Sequence, residues 1–293
     1  MKRRISISAY YNESTVIFTQ PQRSIVSAVS VITIVRNDFP SLDATVSSVL
    51  EQASVDLEYI VVDGSDTPDT ARLHAKLRDR GAVLLSGKDE GIYDAMSKGV
   101  ALATSELIIF MNAGDRFAKA TSLSALVDCV SSGQHRWAYA RAAVLRDGRP
   151  WRRPVGIAPY SLMKHAYVRA AICHQSVIMS KQLFLALGGF NARYGLQADV
   201  ALLLSAGKIA KPGVVRTVEV LYDATGVSAS NVSAALRNKS QIRSDVFGFG
   251  PVARRLDSAF TTGQHLYVRL RQVMARVKLS VRRHTHQSKD FGG

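Results

Sequence analysis

Cysteine, acidic residues and long apolar runs are scarce in this chain. Two cysteines, Cys129 and Cys173, stand far apart among 293 residues. They offer no disulfide framework and no metal-ligand spacing, which fits a reducing compartment. No apolar run approaches the roughly 18 residues that a membrane-spanning helix needs. The opening MKRRISISAYYNESTVIFTQ has a basic head but no continuous apolar stretch and no small-residue cleavage site, so it does not read as a signal peptide. A cytoplasmic protein is expected. Asp and Glu number 23 against 38 Lys and Arg, a net charge of +15. Such a surplus favours polyanionic partners: nucleic acid, an anionic membrane face or phosphorylated substrates. No zinc finger, helix-turn-helix or aromatic-basic platform accompanies it, so no nucleic acid is expected. No Gly-rich phosphate loop near the start supports a nucleotidyltransferase.

What is present suits a folded globular chain: 47% hydrophobic and 21% charged residues, enough to bury a substantial core. After a lead-in over residues 1–27, strand-like and helix-like patterns alternate. Ala28 to Val35 (AVSVITIV) reads as a buried strand. Residues 40–53 place Leu42, Val46, Val49 and Leu50 on one helical stripe, with Pro40 tolerated in the first turn. Leu57 to Val62 reads as a second strand, and Thr67-Pro68-Asp69 as a helix start. Ala82 to Ser86 is a third strand, Gly91 to Ala103 a helix, and Glu106 to Met111 a fourth strand.

This alternation predicts an α/β fold with a mostly parallel central sheet and right-handed crossovers. In such sheets ligands bind beyond the carboxyl ends of the strands. Three polar clusters fall there: Arg36-Asn37-Asp38, Asp63-Gly64-Ser65-Asp66 and Asn112-Ala113-Gly114-Asp115. Each alone is compatible with a solvated turn; three on one edge describe a site.

Further along, Trp137 to Leu145 reads as a strand followed by an Asp147-Gly148 turn signal. Gln175 to Met179 is another strand. Lys181 to Leu187 is a short helix stopped by Gly188-Gly189. Gln197 to Ala206 is a helix with Asp199 near its start, Val214 to Leu221 a strand, and residues 230–245 helical. The tail from Thr262 to His284 puts Leu266, Leu270, Val273, Met274, Val277 and Val281 on one helical face among many arginines. That is a basic amphipathic helix, which either lies on an anionic membrane surface or docks on the protein's own core.

VITIVRN, EYIVVDGSDT, KDEGIYDAMSKGVALA, LIIFMNAGD and ICHQSVIM…FGGFNARYGLQAD occur in this order. Together they resemble the family 2 glycosyltransferases of GT-A (Rossmann-like) fold, particularly those that assemble bacterial surface polysaccharides of the colanic-acid type. The resemblance covers roughly residues 29–205, about one typical domain. Its sharpest element is Gly91-Ile92-Tyr93-Asp94-Ala95-Met96 with Lys98-Gly99, followed by a strand and Asn-Ala-Gly-Asp. It implies an inverting transferase taking a sugar from a nucleotide diphosphate to a sugar or lipid-linked saccharide acceptor. Residues 28–118 would form the donor half, 119–245 the acceptor half and 246–293 the basic tail, with peripheral attachment at the inner face of the plasma membrane.

The resemblance also assigns roles. Thr33, Arg36 and Asn37 would face the nucleoside, Asp63 the base, and Asp66 is a further candidate. Either Asp89 or Asp94 would hold donor sugar hydroxyls, with Asp94 alternatively orienting its helix. Gly91 and Gly114 would admit the ligand close to the backbone. Lys98 would share the diphosphate charge or else be a solvated helix residue. Where the family usually has Asp-x-Asp, this chain has Asn112-Ala113-Gly114-Asp115, leaving Asp115 as the single anionic ligand for Mg²⁺ or Mn²⁺. His174 and Gln175 would touch the acceptor or the diphosphate. Asp199 would be the base that takes the acceptor's proton, although Ala201 stands where another acid is common. The reduced metal motif leaves a rival reading, a nucleotide-sugar-binding protein with little or no transfer activity.

Overall fold

Strand β2 (Val29–Val35) is buried along its whole length, because helices cover both faces of the sheet it belongs to. The structure is a computed structural model. It describes residues 16–18, 29–66, 70–146, 149–151, 153–168, 172–223, 232–264, 266, 267, 270 and 274. The chain divides into two units, Met1–Val227 and Ser228–Gly293.

In the first unit the elements that follow β2 are α1 (Phe39–Leu50), β3 (Leu57–Asp63), α2 (Thr70–Asp79), β4 (Val83–Ser86), α3 (Ile92–Leu102) and β5 (Leu107–Phe110). Then come β6 (Arg116–Phe117), α4 (Ser122–Ser132), β7 (Trp137–Arg146), β8 (Arg149–Pro150) and α5 (Leu162–Tyr167). The unit closes with β9 (Val177–Ser180), α6 (Lys181–Ala186), α7 (Ala198–Ile209) and β10 (Gly213–Asp223). A short strand β1 (Val16–Phe18) lies in the stretch read from sequence as a lead-in and pairs antiparallel with β4. The sheet order is β1-β4-β3-β2-β5-β9-β7-β10-β6, with β8 on the flank of β7.

Alternation along the strands sorts the core into two layers. Val29, Val31 and Val35 of β2 join Leu42, Val46 and Val49 of α1, Leu77 of α2 and Leu123 and Leu126 of α4. Ile32 and Ile34 face the other way, toward Met96 and Val100 of α3, Leu183 of α6 and Leu202 and Leu203 of α7. Helix α3 sits close to the sheet because Gly99 has no side chain. A Cβ there would fall 2.4 Å from Ile32 Cγ2.

The strands β4, β3, β2 and β5 are parallel, as the alternating pattern predicts. Within this mostly parallel sheet β9 runs antiparallel to both β5 and β7. Its register, Leu107 opposite Ser180 and Ile109 opposite Ile178, sets the start of β9 beside the carboxyl end of β5. The strand expected from Gln175 begins instead at Val177, and His174–Ser176 form a 3₁₀ turn ahead of it. Strands β6 and β8 and helices α4 and α5 went unread in the sequence. Asp147-Gly148 and Thr67-Pro68-Asp69 lie outside the described residues.

The second unit contains α8 (Val232–Phe247) and a further helix, α9, residues 251–264. Residues 266, 267, 270 and 274 are also helical, and most of the tail expected to be amphipathic lies outside the described residues. Among the described residues no helix is long and apolar enough to cross a membrane.

Candidate active site

The polar clusters gather at the edge where β2, β3 and β5 end and β9 begins. Strand β2 runs out at Arg36 and Asn37, both exposed. Asn37 takes φ +54°, a conformation that Asn tolerates better than most residues. Its backbone N–H donates to Ser65 Oγ at 2.8 Å and its Nδ2 to Asp66 Oδ1 at 2.8 Å. Asp66 N–H donates back to Asn37 Oδ1 at 3.3 Å. The hydrogen bond from Asn37, with Arg36 and Lys88 nearby, holds the Asp66 carboxyl below the usual range.

Two residues expected at the nucleoside are not on the cleft wall. Thr33 is fully buried; its hydroxyl donates to the Met111 carbonyl at 2.7 Å and accepts from Tyr59 at 3.1 Å. Strand alternation turns it into the layer under α1. Asp63 is likewise fully buried. Its Oδ1 accepts from Ser65 N–H at 2.9 Å, and its Oδ2 lies 2.7 Å from His74 Nε2. Alternation in β3 points Asp63 at α2, where His74 meets it. The Asp63 carboxylate shapes the turn that presents Ser65 and Asp66.

A second group surrounds the start of α3. Asp89 Oδ1 accepts from Gly91 N–H at 2.9 Å. Asp89 fits there because residue 64 is glycine: a Cβ would sit 1.9 Å from Asp89 Oδ2. Gly91 itself has φ +122° and Gly114 φ +96°, which explains both glycines on conformational grounds. Asp94 Oδ2 accepts from Glu90 N–H at 2.9 Å and pairs with Lys98 Nζ at 2.7 Å. Burial raises the Asp94 carboxyl, but Lys98 and the Glu90 N–H outweigh it and hold it below the usual range. Lys98 also donates to the Lys88 carbonyl at 2.8 Å, so it is an anchored cation on this wall.

The turn Asn112–Asp115 is clamped by Thr45 of α1, whose hydroxyl donates to the Asp115 carbonyl at 2.8 Å and accepts from Gly114 N–H at 3.0 Å. Ala113 packs against the core beneath. The Asp115 side chain is buried. Its Oδ2 accepts from Gln175 Nε2 at 2.7 Å and its Oδ1 from Asp223 N–H at 3.0 Å. Burial pushes its pKa up to about 7, against the lowering effect of those two donors and of nearby His174. Gln175 is thus a buried strut, with its Oε1 accepting from Cys173 Sγ at 2.9 Å. Burial and the Asp115 charge push the Cys173 thiol well up.

Asp199 stands in the first turn of α7, where the helix dipole favours a carboxylate. Tyr93 OH donates to its Oδ1 at 3.0 Å, and His174 Nδ1 lies 3.3 Å from its Oδ2. Burial raises the Asp199 carboxyl; the hydrogen bond and charge of His174, with Tyr93 and the Val200 N–H, more than offset this and keep it below the usual range. Ionised Asp199 accepts only, so a proton on His174 Nδ1 is the one that serves it. His174 Nε2 is then left buried and without a hydrogen-bond partner. Both residues line a small apolar hollow with Phe110, Met179, Phe190 and Leu203. Asp115 and Asp199 therefore share His174 as a neighbour, whereas Asp63 occupies the same edge but is closed off by α2. Tyr93, His74 and Thr45 were not picked out from sequence. Tyr93 lies inside the sharpest motif, whereas no local pattern marks the other two.

Among the described residues no three His, Cys, Asp or Glu side chains gather as a metal site. The chain's own donors are Asp115 and Asn112, whose Oδ1 is buried without a hydrogen-bond partner. One carboxylate and one orphaned amide oxygen fit a Mg²⁺-like ion that takes its remaining ligands from phosphate and water.

An α/β sheet covered by helices on both faces, with its polar clusters at one edge, is the architecture of the GT-A glycosyltransferases. The fold resembles that of TarS from S. aureus, with TM-score 0.61, 14% identity, and coverage of 81% of this chain and 43% of that chain. TarS residues 1–349 have been solved with UDP-GlcNAc. It also resembles the mannosyltransferase PcManGT from Pyrobaculum calidifontis, solved with GDP-Man and Mn²⁺, with TM-score 0.53, 15% identity, and coverage of 79% of this chain and 67% of that one. An uncharacterized glycosyltransferase of Mycobacterium tuberculosis (strain H37Rv) is 30% identical over 246 residues, covering 82% of this chain and 92% of the relative. Residues 30–178 match the sequence profile of glycosyl transferase family 2. The chain belongs to that family.

Proposed function

We propose that this chain is an inverting transferase that moves a sugar from a nucleotide diphosphate to a hydroxyl of a sugar or lipid-linked saccharide, in bacterial surface polysaccharide or glycolipid assembly. The observation that carries the reading is Asp199, kept ionised by His174 and Tyr93, at the edge where the Asn112–Asp115 turn ends the donor half. Residues 28–118 bind the donor and 119–245 the acceptor. Arg36, Asn37 and Asp66 meet the nucleoside, and Asp63 fixes their turn. The start of α3, with Asp89, Gly91, Asp94 and Lys98, faces the diphosphate and donor sugar, since backbone N–H groups at a helix start suit phosphate. The nucleotide sugars held by TarS and PcManGT support a donor of this class.

Asp199 takes the acceptor's proton while the acceptor oxygen attacks the anomeric carbon from the face opposite the diphosphate. The new C–O bond forms as the bond to the diphosphate breaks, and its electron pair leaves with the diphosphate. One displacement of this kind inverts the anomeric centre. Mg²⁺ or Mn²⁺, held by Asp115 and Asn112 Oδ1, would neutralise charge on the departing diphosphate. His174 and Tyr93 orient Asp199. Incubation with UDP-, GDP- and dTDP-sugars and saccharide acceptors, comparing the natural chain with Asp199→Asn, tests the reading. Equal turnover in the two proteins would overturn it.

A second reading has one observation in its favour. Both Asp115 oxygens are engaged inside the protein, which suits a nucleotide-sugar-binding protein without transfer. Donor binding with no product from any acceptor, and no release of free sugar, would select it.

A further inference from the structure

The second unit carries an exposed apolar and basic surface of its own. Helix α9 is locked against α8 by one buried ion pair. Arg243 donates from Nε to Asp257 Oδ1 at 2.7 Å and from Nη2 to Asp257 Oδ2 at 2.9 Å. Ser240 Oγ donates to the same carboxylate at 2.6 Å, and Arg243 also reaches Thr261 Oγ1 at 2.7 Å. Asp257 and Thr261 are one helical turn apart, so together they fix which way α9 is rotated. Roughly 140° round the helix from that buried face come Val252 and Leu256, exposed by 71% and 68%. Leu266, Leu270 and Met274 are also more than half exposed. Counted on an α-helical period, these five residues share an arc of roughly 80°. The lock therefore turns an apolar stripe outward.

Charge decides what such a stripe meets. Residues 251–293 hold nine Lys and Arg and two acids, Asp257 and Asp290. Asp257 is engaged by Arg243, while Arg255 is exposed at the border of the stripe, roughly 60° round the helix from its centre. A second copy of this face would bring the same positive charge against it. Nucleic acid would satisfy the arginines and leave the leucines in water. An anionic bilayer takes both, apolar side chains below the headgroups and arginines at their level.

We propose that the face of α9 bearing Val252 and Leu256, continued by Leu266, Leu270 and Met274, is a docking surface for an anionic lipid bilayer. The test uses the full chain and flotation with vesicles of phosphatidylcholine alone or with one-third phosphatidylglycerol. The natural protein floats with the anionic vesicles and stays behind with the neutral ones. Leu256→Asp with Leu270→Asp lowers its partition by about tenfold or more, and Arg255→Glu lowers it independently. Thermal unfolding and nucleotide binding stay unchanged, because these side chains are exposed and outside the donor site. Failure of the natural protein to float, or flotation that survives both the Asp pair and Arg255→Glu, overturns the proposal. So does a dimer, seen by light scattering, that the Asp pair splits without changing flotation. Loss of donor binding or transfer with flotation intact would count against the enzymatic reading and not this one.

Discussion

Gln175 Nε2 donates to Asp115 Oδ2 across 2.7 Å, joining the turn that opens β9 to the turn that closes β5. One hydrogen bond thus couples the acid of the Asn112–Asp115 turn to the residue beside His174. A buried acceptor that loses its donor costs about 1–3 kcal/mol. Gln175→Leu is therefore expected to lower stability by that order, read from denaturant unfolding, and to weaken transfer more than nucleotide binding. An unchanged unfolding midpoint would show that the strut bears no strain.

Asp115 gives the protein a pH signature. Its folded pKa, about 7, lies above the ordinary carboxylate value. Between those values the folded state binds more protons than the unfolded one, so this residue's contribution is complete at low pH and fades as pH rises through about 7. The melting temperature should fall from pH 5 to pH 8 by more in the natural protein than in Asp115→Asn. A nucleotide diphosphate with Mn²⁺ should raise it at pH 8, and raise it less in the Asn variant. Parallel pH curves for the two proteins would refute the assignment.

Transfer should fall about 10²- to 10⁴-fold in Asp199→Asn, the usual worth of a positioned base, with nucleotide affinity retained. The pH dependence of kcat/KM identifies the proton acceptor. With Asp199 as base, the acidic limb lies below the ordinary carboxylate range, because His174 and Tyr93 hold it there against burial. An acidic limb that is unchanged in Asp199→Asn would overturn that assignment.

The first half of the fold is legible because its strands are short, β-branched and separated by clear helical stripes; β2, β3, α3 and β5 fall within a residue or two of their expected bounds. Strand direction is not written in such runs. Val177–Ser180 reads the same whether it runs up or down, and only its pairing with Leu107–Ile109 reveals the reversal. Two-residue β6 is too short for any period. Helix α4 has only a thin stripe, Leu123, Leu126 and Val130. At the site, motif position singled out Asp115 and Asp199, which both neighbour His174, whereas side-chain direction turned Thr33 and Asp63 into the buried layer. Both lie on strand faces that helices cover, and the partner of Asp63 comes from a histidine eleven residues later.

His74 carries a prediction of its own. Replacing it with Leu leaves Asp63 Oδ2 buried without a donor and should destabilise the chain by about 1–3 kcal/mol. His74→Gln, which can still donate, should recover part of that. A Leu variant as stable as the natural protein in calorimetry would mean that the pair is dispensable.

Gly64→Ala places a methyl where Asp89 Oδ2 now sits. The Asp89 side chain can swing aside, so stability should change little, but Gly91 N–H loses its acceptor. Donor affinity should drop about tenfold, the worth of one charge-assisted hydrogen bond, as measured by calorimetric titration. Undiminished affinity would remove Asp89 from the donor wall.

The reversed strand β9 has a consequence for what can vary at this edge. It enters the sheet beside the point where β5 leaves it, so the His174–Ser176 turn and the Asn112–Asp115 turn stand side by side on strands of opposite direction. A change of length in the first of these turns would leave the register of the parallel strands β4, β3, β2 and β5 untouched. One side of the edge can thus be remodelled while the frame that carries the other is kept.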